Sequence, residues 1–293
     1  MTYTIPSYTV RPGTAYQPGK MLILDIVPGI LEYWSTRPLR KQDVYKLAIR
    51  GRDATTNEQD FSSGQYVGGG ALALANGGNL FIPDLYGRAS GLGASQSTAG
   101  AQPLGVSSGS LITKSATPVL HFDGSADFLE IADDPLLNLS TQLSVCCWVK
   151  SDVGTLAGNV TFIGKYDFGD SQREWYFGYR PTGEPILVIG GAGGGTPSTK
   201  YAATPIAVDS WQFLGATYNA GVSKIYINGV EVATLDAGTP LATLNNFATP
   251  ATIGCNLDSG TPSNFLDGKI NDVMLFNTVL TESDFTKIYN ATL

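Results

Sequence analysis

The chain has 293 residues, 15% of them charged, and a formal net charge of −7. That acidity excludes a surface built to hold nucleic-acid phosphates, which needs clustered Lys and Arg. With 43% hydrophobic residues the composition is not that of a disordered chain, and 35 glycines suit a β-rich fold with many tight turns.

The opening MTYTIPSYTV has no charged start and no apolar stretch, so no secretory signal is expected. The longest apolar run, MLILDIVPGI, is broken by Asp25 and Pro28, so no membrane span is expected. Residues 1–42 are rich in Pro, Tyr and β-branched residues and show no period; they read as an extended arm that lies along another surface. Arg37, Arg40, Lys41, Lys46, Arg50 and Arg52 face only Asp43 in the local count, a pattern that reads as a solvated or interface-facing stretch. Residues 43–116 read as a small β-rich module: VYKLAIRGRD as a strand, ALALAN (71–76) as a short apolar piece of either kind, and 86–116 as a Gly/Ser-rich connection.

After Pro118 the pattern is plainly β. VLHFDGSADFLEI, LSVCCWVKS, FIGKYD, EWYFGYR, PILVIGG, WQFLGATYN, SKIYINGVEVATL, ATIGCNL and GKINDVMLFNTVL follow one another. Turn residues separate them at Asp123-Gly124, Pro181-Thr182-Gly183, Asn219-Ala220-Gly221, Asn228-Gly229 and Asp267-Gly268. Many short strands at this spacing predict an antiparallel sandwich or barrel. Asn228-Gly229 predicts a type I′ hairpin, which needs positive φ at both central residues. In the tail, Thr281 followed three positions later by Asp284 predicts a capping box with Asp in place of Glu, opening a short helix.

Cys146 and Cys147 are neighbours on a strand and point to opposite faces, so they cannot easily pair. With Cys255 they make three, without CxxC spacing, and read as buried free thiols. His121 is the sole histidine. Its place in an alternating strand predicts a sheet-surface residue rather than the base of a catalytic triad. GGAGGG (190–195) is followed by no Lys-Ser/Thr and no helix, so it is not a phosphate loop.

The pieces LHFDGSADFLEIAD, LNLSTQLSVCCWVKS, WQFLGATYNAGVSKIYINGVEV, TIGCNL and FLDGKINDVMLFNTVLTESDFTKIY together resemble the laminin-G-like, concanavalin A-like jelly-roll family. The resemblance spans residues 117–293 and implies a mainly β, antiparallel sandwich, preceded here by an extended N-terminal arm and the small 43–116 module. Within that family Trp148 and Trp211 pack in or beside the core. AIRGRDATTNEQDF (48–61) and residues 86–122 resemble a segment that precedes such domains in phage tail and virion proteins. They are also similar to the opening of arabinofuranosidase B catalytic domains. There the family reads Trp-Tyr-Asp-Gln-Ser-Gly where this chain has Leu85 to Gly91, and the Asp-Gln pair is lost.

These resemblances imply a non-enzymatic virion protein of a bacteriophage (tail fibre, tail-associated or capsid decoration), assembled in the host cytoplasm. Residues 1–60 would contact other virion proteins, and a homo-oligomer such as a trimer is expected. The alternative is a glycoside hydrolase related to arabinofuranosidase B.

Three sets of residues carry the candidate chemistry. Sugar binding needs aromatic faces beside aligned polar groups. Tyr166, Asp167, Asp170, Arg173 and Trp175 supply both, with Tyr176 and Tyr179 near them. Alternation places Trp175, Phe177 and Tyr179 on one face and Tyr176 on the other, so one set must be core. Asp167, Asp170, Glu174 and Glu184 are the carboxylates for hydrolysis, which needs two acids roughly 5 to 9 Å apart. The resemblance further implies a structural calcium. Asp123, Asp127, Asp267, Asn271 and Asp272 supply the oxygens that such an ion takes from loop carboxylates and amides.

Overall fold

The computed structural model describes residues 117–154, 158–191 and 195–292. It also describes the shorter stretches 22–26, 50–52, 79–83, 93–96, 98–101, 103, 106–107 and 110–114. The expectations for ALALAN, for the basic stretch before residue 50 and for most of the 1–42 arm lie outside these residues.

Two antiparallel sheets stack face to face. The first runs Leu22–Ile26, Asp267–Phe276, Gln142–Ser151, Gln212–Asn219, Val222–Ile227, Val230–Glu231, with Leu120–Asp123 also on Asp267–Phe276. The second runs Thr234–Ala237, Ser198–Ala202, Pro185–Ile189, Gln172–Tyr179, Val160–Asp167, Ala251–Ile253, Leu129–Ile131, Gly93–Gln96, Asn79–Pro83, Arg50–Arg52. The arm and the 43–116 stretch therefore contribute strands to both sheets rather than standing apart from them.

Alternation explains the packing. Leu143, Val145, Cys147 and Val149 point between the sheets, where they meet Phe162, Trp175, Phe177, Leu187 and Leu214 in one core. Their neighbours Cys146 and Trp148 point outward, into a second cluster with Phe213, Tyr226, Met274 and Phe276. The C-terminal helix, Glu282–Thr292, covers that cluster with Phe285 and Ile288. The Phe285 ring stacks on Tyr226 at 4.2 Å, and Tyr289 stacks on Trp148 at 5.5 Å. Phe285 also lies over Gly215, where a Cβ would stand 2.5 Å from the ring. Both thiols of the Cys146-Cys147 pair are thus buried in separate apolar layers, and Cys255 is buried and free as well.

Local signals hold where side-chain chemistry sets them. Asn228 and Gly229 take φ of 52° and 84°, the type I′ hairpin. The Thr281 N–H donates to Asp284 at 2.8 Å and the Asp284 N–H to the Thr281 hydroxyl at 3.3 Å, closing the capping box. Two expectations change. Asp267-Gly268 opens the ten-residue strand Asp267–Phe276 instead of forming a turn, because it pairs with Asp123 and Phe122. Ser198–Ala202 is a strand that the polar sequence STKYA does not advertise; it pairs with Pro185–Ile189 and Thr234–Ala237 while only Ala202 is fully buried. No described helix is long and apolar enough to cross a membrane.

Candidate functional site

At one end of the second sheet, two turns are locked together by Asp167. Its carboxylate is buried and accepts N–H groups from Ser259 at 2.8 Å, Gly260 at 2.7 Å and Asp170 at 3.3 Å. The Phe168 N–H donates to the Leu257 carbonyl at 2.8 Å, and Asp167 pairs in parallel with Leu257. The turns meet so closely at Gly169 that a Cβ there would stand 2.1 Å from the Ser259 hydroxyl. Only glycine permits this approach.

On this rigid base Phe168 points outward and is 56% exposed. The Arg173 guanidinium lies over its ring at 4.1 Å and donates to the Phe168 carbonyl at 3.0 and 3.3 Å. Asp170 follows in the same turn, Asp258 and Ser259 stand against Gly169, and Thr261 pairs with Asp258; all four are exposed. An apolar ring face thus sits among fixed donors and acceptors, the combination that a sugar ring requires.

The sugar-binding set divides. Asp170 and Arg173 reach this surface and Asp167 organises it from below. Trp175 is 0% exposed and packs in the inter-sheet core, so it is no surface platform; its strand turns that face toward the first sheet. Tyr166 lies on the opposite face but is buried, edge-on to Tyr176 at 5.0 Å beside Ile186 and Val188. Tyr179 is likewise core, and its hydroxyl lies 3.1 Å from Ser151. Phe168 was the missing member. The signal for it was an aromatic residue inside a run of turn residues, Asp-Phe-Gly-Asp.

Of the four hydrolytic carboxylates, three are engaged by their own surroundings. Asp167 is held by its three N–H donors. Glu174 is fully buried against Lys165 at 2.7 Å, and burial pushes its pKa up while Lys165 opposes the shift. Glu184 accepts the Thr182 hydroxyl in its own turn.

The calcium set also divides. Asp123 and Asp267 sit opposite each other in register. The Asp123 carboxylate accepts the N–H groups of Ser125, Ala126 and Asp127 and the Ser125 hydroxyl. Partial burial would raise its pKa, but these donors outweigh it and bring it to about 2. Asp127 accepts the Asp123 N–H at 3.1 Å; burial first, then the Asp123 charge, raises its pKa to about 7. Burial and then the charge of Asp152 also raise Asp267. Asn271 and Asp272 lie four and five positions farther along the strand, about 13–16 Å at the usual rise. There Asp272, at φ 51°, sits where the register with Gln142–Ser151 shifts. The five residues therefore do not form one coordination shell. The structure instead gathers His121, Asp152 and Asp267 at the strand end. His121 lies on the sheet surface, 2.9 Å from Asp152, and Lys269 donates to both Asp152 oxygens at 2.8 and 2.6 Å.

Comparisons with known proteins agree with this architecture. The fold matches the binding domain of Paraclostridial Mosquitocidal Protein 1 with a TM-score of 0.54 at 13% identity, covering 72% of this chain and 49% of that one. The chain thus spans about half the length of that domain. It is also similar to domain 4 of AbnA, a GH43 extracellular arabinanase from Geobacillus stearothermophilus (TM-score 0.46, 22% identity, covering 61% of this chain and 79% of that one). A third similar structure is the Ruminococcus gnavus IT-sialidase CBM40 (TM-score 0.48, 13% identity, covering 58% and 95%). At these identities the likeness concerns the fold alone. No curated protein sequence matches the chain. The model of one family, Laminin_G_3, matches residues 123–285, more than half of the sequence, and the chain belongs to this concanavalin A-like lectin/glucanases superfamily.

Proposed function

We propose that this protein is a glycan-binding virion component of a bacteriophage, and that its sandwich meets the sugar at the Phe168–Arg173 corner. One observation carries the glycan half: an exposed aromatic ring, held by an arginine and braced by the Asp167 latch, in a ring of exposed polar groups. A sugar's apolar face would stack on the open side of Phe168, and its hydroxyls would meet Arg173, Asp170 and Asp258. The toxin domain that shares the fold is itself a binding domain. The virion half rests on the resemblance of residues 48–61 and 86–122 to segments of phage tail and virion proteins. In this reading residues 1–60 join other virion proteins and copies of the chain assemble as a homo-oligomer. The capsid or tail would carry the sandwich outward.

The test is a glycan array with arabino-oligosaccharides and bacterial surface polysaccharides, followed by titration of the wild type and Phe168→Ala. Binding that drops more than tenfold in the variant supports the reading. An array without hits, or an unaffected variant, overturns it. Release of reducing sugar that vanishes with Asp170→Asn would favour the hydrolase instead.

The calcium expectation narrows to Asp127 and Asp267. Burial and a neighbouring negative charge disfavour each as an anion, Asp127 beside Asp123 and Asp267 beside Asp152, and a hard cation at this strand end would offset that cost.

A further inference from the structure

Behind the corner, on the core side of the second sheet, lies a cluster that sugar binding does not use. Lys165 is 0% exposed, and its ammonium contacts Glu174 at 2.7 Å, Asp133 at 2.9 Å and the Phe247 carbonyl at 2.5 Å. The side-chain carbonyl of Asn138 stands 3.5 Å from the same nitrogen. Glu174, also 0% exposed, accepts the Phe247 N–H at 2.7 Å through Oε1. Its Oε2 is buried with no hydrogen-bond partner among the described residues.

The salt bridge leaves the Glu174 Oε2 without a partner among the described residues, and the Lys165 ammonium also donates to the side-chain carbonyl of Asn138. Burying an ion pair is costly, and burial pushes the Glu174 carboxyl toward its protonated form. A neutral lysine is a nucleophile. Asn138 follows the 3-10 turn Pro135–Leu137, and its N–H donates to the Pro135 carbonyl at 3.3 Å, which fixes its approach to the amine. Such positioning replaces a bimolecular encounter.

We propose that Lys165 and Asn138 join in an intramolecular isopeptide bond, with Glu174 carrying the protons. The Lys165 ammonium first gives one proton to the Glu174 carboxylate. The amine then attacks Cγ of Asn138, forming the new C–N bond and a tetrahedral carbon. Glu174 passes its proton to Nδ2, the Cγ–Nδ2 bond breaks, and ammonia leaves. Glu174 takes the surplus proton from the new amide nitrogen and ends protonated. One ammonia is lost, nothing is oxidised, and no co-reactant is consumed. Asp133 holds the ammonium but is the poorer electrophile, because a carboxylate resists attack and an amide carries no charge. The bond would tie together residues 27 positions apart and remove freedom from the unfolded chain.

Intact-mass spectrometry of the denatured full-length protein tests this. The expected mass is one ammonia below that of the sequence, with a branched proteolytic peptide joining Lys165 to Asn138. Asn138→Ala, at an exposed position, should stay folded by circular dichroism and show its full sequence mass. Glu174→Gln should leave the bond largely unformed. A wild-type mass equal to the sequence, or a link to Asp133 with loss of water, overturns the proposal. So does a missing ammonia that persists in Asn138→Ala.

Discussion

Asp167 and Gly260 are 93 positions apart in the chain, yet a single hydrogen bond of 2.7 Å joins the carboxylate of one to the backbone N–H of the other. With the matching bond to Ser259, it makes two separate turns one surface. Asp167→Ala would leave those part-buried N–H groups without their acceptor. The expected loss is about 2–4 kcal/mol of stability, read by urea denaturation. Glycan affinity should fall with it, because Phe168 loses its base.

Phe168→Ala separates binding from folding. The ring is mostly exposed, so the expected change in stability is within about 0.5 kcal/mol. Binding should weaken by about 1.4–2.7 kcal/mol, roughly tenfold to a hundredfold, when titrated calorimetrically against the array's best glycan. Arg173→Lys tests the arginine over the ring. Lysine keeps the charge but not the planar fork, and an intermediate affinity is expected.

The helix offers a stability test remote from the corner. Phe285→Ala would open a cavity over Gly215 and Tyr226 and is expected to cost about 3–5 kcal/mol. Thr281→Ala, which removes only the capping hydroxyl, is expected to cost about 1 kcal/mol. Thermal melts of both should show the larger loss for Phe285.

Calcium is tested without reference to any sugar. Adding it to the chelated protein should raise the melting temperature, and Asp127→Asn should abolish the rise. Equal melting curves with calcium and with chelator would remove the ion from the account.

How much of this was legible in the sequence depends on the distance over which each feature is decided. The hairpin at Asn228-Gly229 and the cap at Thr281 are set by residues that touch, and both read correctly. Alternation placed Trp175, Phe177 and Tyr179 on one face. It could not say which face was core, since that depends on a first sheet contributed by residues far away. Ser198–Ala202 escaped because its side chains are mostly half-buried and its strand character comes from two neighbours. The candidate corner was only partly visible for the same reason. Asp170 and Arg173 stood out as polar residues near aromatics, but Ser259 and Gly260, which complete it, lie in a hairpin that nothing local connects to Asp167. Asn271 and Asp272 looked close to Asp267 in sequence, and the extended strand carries them away from it.

The strand Leu22–Ile26 runs antiparallel to Val273–Phe276, continuing the line that Leu120–Asp123 begins on residues 267–270. Two distant stretches of chain thus share the flank of one strand, like two short planks butted along a single beam. Removing residues 1–42 would bare the backbone of Val273, Met274, Leu275 and Phe276 on that flank. Four bare residues are a small template, but they are apolar and already extended, and a second molecule would supply the missing plank. A truncated chain should therefore pair with its own kind in a concentration-dependent way that light scattering would detect. The segment proposed to hold a neighbour in a particle would then also be what keeps each copy from mistaking another for that neighbour.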